Sequence, residues 1–139
     1  MWPELPIEFN VVGTPVSAQS KNTRAKAEWQ EKVLAAAQSE VGYERWALME
    51  ERLSVSMYYF PQDPMPGDVD NIVKLTLDAL APNIYTEDHL IDRILVQRFN
   101  PEVSFSFADP SDTLVEAMTI GSPVLYVCID EAPLRDLAQ

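Results

Sequence analysis

The run L-S-V-S-M-Y-Y-F, Leu53 to Phe60, leads through P-Q-D-P-M-P-G into D-V-D-N-I-V-K-L-T-L-D-A-L, Asp68 to Leu80. In its first part Leu53, Val55, Met57 and Tyr59 alternate with Ser54, Ser56 and Tyr58, a period of two that predicts a strand with one face in a core. Pro61, Pro64 and Pro66 cannot donate to a sheet ladder, so the strand ends at Phe60 and a stiff loop follows. The spacing then changes. Ile72, Val73, Leu75, Leu77, Ala79 and Leu80 cover most of a helix predicted over residues 71–80, with Asp70 where its N-cap belongs and Pro82-Asn83 as its stop.

Working outward, Ile7, Phe9 and Val11 alternate within residues 5–12 and predict a first strand. A loop from Gly13 to Asn22 precedes a helix from Thr23 to about Val41, with Thr23 as N-cap, Ala27, Val33, Leu34, Ala37 and Val41 as its apolar face, and Gly42 as its stop. Residues 44–52 read equally as a helical turn or a connector. Downstream, Ile84-Tyr85 is a short extended piece and Thr86 to His89 a turn. Arg93 to Phe99 is a strand, and Ser111 or Asp112 caps a short helix through Met118. Val124 to Ile129 closes the sheet. Residues 100–123 otherwise receive no role. This order predicts a single α+β domain over residues 1–139, a mixed β-sheet with two main helices packed on it.

The bulk numbers agree. At 139 residues, 47% hydrophobic and 23% charged, the chain suits one domain with one core. No apolar run approaches the roughly 20 residues that cross a bilayer, and the start lacks the pattern of a signal peptide, so no membrane association and a cytoplasmic location are expected. The lone Cys128 lies in the apolar run V-L-Y-V-C-I and reads as a buried, inert thiol. Net charge is −12, divided as −2 over residues 1–52 and −10 over residues 53–139. A non-specific nucleic-acid binder normally shows a basic face. The local exception is Lys21, Arg24 and Lys26, which suit either a solvated helix entrance or a phosphate-contacting loop.

The acids concentrate around the helix of residues 71–80. From Asp63 to Asp92 there are seven, against Lys74 alone before Arg93. Such density needs a positive offset, and a divalent cation is the obvious candidate. Asp68 and Asp70, two apart at a loop-to-helix junction, can point the same way in extended chain and share one cation. Asp88 adds a third ligand if the intervening chain folds back, and Lys74 lies one turn past Asp70. The other reading is structural: Asp70 caps the helix, Lys74 pairs with Asp70 and Asp78, and Asp88 caps the next element. An EF-hand loop is excluded, because counting from Asp68 the positions that need Gly and Glu hold Val73 and Ala79. A phosphatase D-x-D is excluded because P-M-P-G, not an apolar strand, precedes it.

Gly67-Asp68-Val69-Asp70-Asn71-Ile72-Val73-Lys74, then Leu77-Asp78-Ala79-Leu80, then Ile84 to Asp88, resembles the RusA family of Holliday-junction resolvases. Gly13-Thr14-Pro15 with Ser20 to Arg24 is similar to that family's opening loop. The likeness covers most of residues 7–99. Carried over by position, it implies Asp68, Asp70 and Asp88 as catalytic, metal-binding carboxylates and Lys74 as the catalytic lysine. It further implies Mg²⁺ (or Mn²⁺) as cofactor, hydrolysis of branched DNA at a four-way junction, and a homodimer. Lys21, Arg24 and Lys26 are the candidate nucleic-acid-binding residues. Glu87 and Asp92 are candidates for secondary ligands or for a solvated turn. The −12 charge motivates two competing readings, a non-catalytic binding module on the same fold and a metal-dependent nuclease for flaps or another branched nucleic acid.

Overall fold

The computed structural model of the chain describes residues 2–65 and 67–134. Four strands, β1 (Ile7–Val12), β2 (Leu53–Phe60), β3 (Ile91–Arg98) and β4 (Val124–Glu131), form one mixed sheet in the order β1-β4-β2-β3. β4 runs antiparallel to both of its neighbours, and β2 and β3 are parallel. Parallel neighbours need a crossover, and the connection between them carries α2 (Val73–Leu80), so the acidic stretch is the middle of a β-α-β unit. α1 (Thr23–Val41) and α3 (Asp112–Thr119) complete the α-helices of the described residues, making three. None of the described helices is long and apolar enough to cross a membrane.

The alternation read from the sequence sorts side chains onto the two sheet faces. Phe9, Val127, Met57 and Val96 line up across the strands and meet Trp29, Val33 and Ala37 of α1 and Leu75, Leu77 and Leu80 of α2. On the other face Tyr58, Phe60, Val124 and Tyr126 meet Leu114 and Ala117 of α3. Residues 100–123, which carried no role in the sequence, close this second face. Phe99, Phe105 and Phe107 pack on one another and on the strand aromatics, with Phe99 and Phe105 ring centres 4.7 Å apart.

Several boundaries differ from expectation for local reasons. The cap of α1 is Asn22, whose side chain accepts from the Ala25 N–H, so Thr23 is already helical; Gly42 ends the helix at φ 88° as expected. The predicted helix over residues 71–80 is a 3-10 turn, Val69–Ile72, running into α2, and Ile72 stands at the start of α2 without a side-chain cap. β4 does not close the sheet at an edge. It runs through the middle, its core-face residues Leu125, Val127 and Ile129 fully buried. Cys128 is half-buried, and desolvation pushes its thiol up to about 11, which leaves it unreactive at neutral pH.

One buried polar pair joins the two helices. The Thr76 hydroxyl, fully buried, donates to the Ile72 carbonyl at 2.8 Å and accepts the Trp29 indole N–H at 3.1 Å. Thr76→Val keeps the shape but strands the indole donor in the core. A loss of about 1–3 kcal/mol in urea unfolding is expected, and an unchanged midpoint would show that the pair contributes nothing.

Candidate active site

The loop leaving β2 is held from outside by the end of β3. The Asn100 side-chain oxygen accepts the Met65 N–H at 3.2 Å, and the Arg98 guanidinium donates to the carbonyls of Met65 and Gly67. Arg98 therefore fixes the backbone that presents Asp68. The opening loop lies across the same cleft. Thr14 and Pro15 line it together with Asp63, Met65 and Gly67, and the Gly13 N–H donates to the Pro123 carbonyl at 2.7 Å. Gly13 has φ 137°, and a Cβ there would stand 3.1 Å from the Lys32 Nζ, so this turn needs glycine.

Asp68 is extended (φ −79°, ψ 141°) and precedes the 3-10 turn without making a side-chain cap bond, while Asp70 lies inside that turn. The two carboxylates are therefore not an extended pair, which corrects the geometry inferred from their spacing. Asp70 does not cap α2 either. Asp88 opens a second 3-10 turn, Asp88–Leu90, again without a cap bond. All three side chains are exposed, and among the described residues none of them joins an ion pair. The capping roles that offered a purely structural reading are absent.

Lys74 pairs with Asp78 at 3.0 Å, four residues along α2; the alternative pair with Asp70 does not form. The hydrogen bond to Asp78 raises the Lys74 pKa above its ordinary value, and the charge of Asp88 adds to the shift. Lys74 and Asp88 thus share one electrostatic neighbourhood. The chain between them turns back against the end of α2. The Ile84 N–H donates to the Leu80 carbonyl, and the buried Tyr85 hydroxyl reaches the Leu77 carbonyl at 3.0 Å and an Asp88 carboxylate oxygen at 3.3 Å. Burial raises the Tyr85 pKa, with Asp88 reinforcing the shift, so the phenol keeps its proton.

Asp92 is not a ligand candidate. It accepts from Arg52 at 2.5 and 2.9 Å, and Arg52 also donates to the His89 carbonyl at 2.7 Å, tying the start of β3 to the start of β2. That contact lowers the Asp92 pKa. Glu87 stays exposed ahead of the Asp88 turn. Of the basic trio, Lys21 is exposed, Arg24 is exposed and paired with Glu28 at 3.1 Å, and Lys26 is half-buried. All three sit at the start of α1, whose first turn carries no acid.

Among the described residues no three His, Cys, Asp or Glu side chains stand close enough to hold one metal ion together. The structure therefore does not bring Asp68, Asp70 and Asp88 into a closed cage. Their chemistry is still that of a hard-cation site, with exposed carboxylate oxygens that no base among the described residues occupies. Mg²⁺ is commonly bound by one or two carboxylates with waters and substrate phosphate completing the octahedron, and an open donor set fits that pattern.

The sequence profile of Endodeoxyribonuclease RusA matches residues 9–104. The chain belongs to the RusA endodeoxyribonuclease family. No curated protein matches it. The RusA match takes in most of β1 and all of α1, β2, α2 and β3, and with them Asp68, Asp70, Lys74 and Asp88. It ends before α3 and β4, so one of the two inner strands of this RusA-family sheet comes from outside the matched region. Arg98, Asn100 and Tyr85 are what the sequence reading missed. Arg98 and Asn100 reach partners 31 to 35 residues away, and Tyr85 reaches Leu77 and Asp88, eight and three residues away, contacts that no residue spacing announces.

Proposed function

We propose that this RusA-family chain is a Mg²⁺- or Mn²⁺-dependent endonuclease that hydrolyses phosphodiesters at four-way DNA junctions as a homodimer. The observation that carries the reading is that Asp68, Asp70 and Asp88, three exposed carboxylates in the matched region, form neither ion pairs nor caps among the described residues. Their oxygens would hold the cation. When bound, the cation neutralises charge on the phosphodiester and lowers the pKa of a bound water. Lys74, kept protonated beside Asp78, supplies positive charge one turn past Asp70 and offsets the charge that builds on phosphate in the transition state. It serves as a charge rather than a base.

Lys21, Arg24 and Lys26 would contact the DNA backbone. Cations at a helix N-terminus oppose the macrodipole, and an incoming phosphate relieves both charges at once. The Arg24–Glu28 pair is fully solvated and easily exchanged for phosphate. Two symmetric cuts in one junction call for two copies of the chain, which is the argument for the dimer. The −12 charge supports a second reading, a binding module that no longer cuts.

A panel of labelled four-way junction, flap and linear duplex, with Mg²⁺ and after chelation, separates these readings. Paired symmetric cuts in the junction, lost on chelation, are expected. Cutting of the flap alone would overturn the junction substrate, and metal-independent inertness toward every branched DNA would favour the binding module.

A further inference from the structure

Tyr85 is fully buried, and its backbone is pinned on both sides. The Leu48 N–H donates to the Ile84 carbonyl and the Thr86 N–H to the Leu48 carbonyl, each at 2.9 Å, in a lone bridge between residue 48 and residue 85. The ring therefore cannot move without breaking backbone pairing. Its hydroxyl has two acceptors in reach. One is the Leu77 carbonyl at 3.0 Å, in the last turn of α2, where carbonyls lack helical partners. The other is the Asp88 carboxylate at 3.3 Å. Among the described residues the phenol is the sole side-chain hydrogen-bond partner of Asp88.

We infer that Tyr85 is a positioning residue, a rigid post between the end of α2 and the Asp88 turn that sets the direction of the Asp88 carboxylate. The inference rests on the assignment of Asp88 to the metal site. An exposed aspartate on a short 3-10 turn samples several rotamers, and a donor fixed in the core removes that freedom before any ligand arrives. The competing role is structural, a hydroxyl that merely caps the Leu77 carbonyl. That role acts on α2 and has no reason to depend on Asp88.

The test is a double-mutant cycle on the full chain, with Mn²⁺ as the probe, read by the spectroscopic loss of free ion. Tyr85→Phe removes only the hydroxyl and is expected to weaken Mn²⁺ binding about tenfold, with junction kcat falling and KM unchanged. In an Asp88→Asn background the same substitution is expected to have no further effect on Mn²⁺. An equal factor in both backgrounds, or unchanged Mn²⁺ affinity in Tyr85→Phe, would overturn the inference. If the wild-type chain takes no Mn²⁺, the metal reading itself falls, and amide exchange of the metal-free protein decides the role of Tyr85. Faster exchange confined to Asp88–Leu90, where the Leu90 N–H bonds the Glu87 carbonyl at 3.2 Å, upholds it; wild-type protection there overturns it.

Discussion

Asp70→Asn is expected to slow junction cleavage about a thousandfold while leaving the fold and junction affinity in place. The side chain is exposed inside a 3-10 turn, caps nothing and pairs with nothing among the described residues. Exchanging one oxygen for an amide there disturbs stability by no more than about 0.5 kcal/mol, the usual range for a surface site. The chemical loss is of another order. A carboxylate that would hold the cation against the reacting phosphate contributes several kcal/mol, and each 1.36 kcal/mol is tenfold in rate. Single-turnover cleavage and gel-shift binding in the presence of a chelator measure the two effects separately. A variant that cuts at the wild-type rate removes Asp70 from the site.

Ending the chain after residue 104, where the RusA match stops, is expected to abolish folding altogether. Among the described residues β4 is the only strand that pairs with β1, and it supplies the antiparallel neighbour of β2. Without it Leu125, Val127 and Ile129 leave the core between the sheet and α1, and Tyr126 leaves the aromatic layer on the other face. Large-to-small changes at single buried positions of this kind cost about 2–5 kcal/mol each, and total stability for a domain is about 5–15 kcal/mol. Removing the whole strand exceeds that margin. The fragment 1–104 should show far-ultraviolet circular dichroism and amide chemical shifts of an unfolded chain; a cooperative thermal transition in the fragment would contradict this.

The two core strands on either side of α1 and the helical stretch after the prolines were legible because their patterns are local. Alternation at Leu53, Val55, Met57 and Tyr59 places those side chains in the core, where the structure has them. The same periodicity cannot order strands in a sheet. Val124 to Ile129 announces a strand, but only long-range pairing with β1 and β2 makes it central. At the site, the acids and Lys74 were visible as types and spacings. Their geometry was not. The D-x-D pair reads as extended chain, yet a 3-10 turn begins at Val69 and takes in Asp70 while Asp68 stays extended. Asp92 looked like its neighbours in sequence until Arg52, 40 residues away, claimed it. The role of residues 100–123 was hidden because the alternating Phe105 and Phe107 form no strand; their partners are aromatics of β2.

The most direct measurement is a calorimetric titration of Mn²⁺ into the wild-type chain and into Asp70→Asn, under identical salt and pH. The account predicts saturable binding by the wild type, strongly weakened in the variant, with the folded state unchanged by circular dichroism. Binding of equal strength in both, or none in either, would contradict the claim that Asp68, Asp70 and Asp88 hold a catalytic cation.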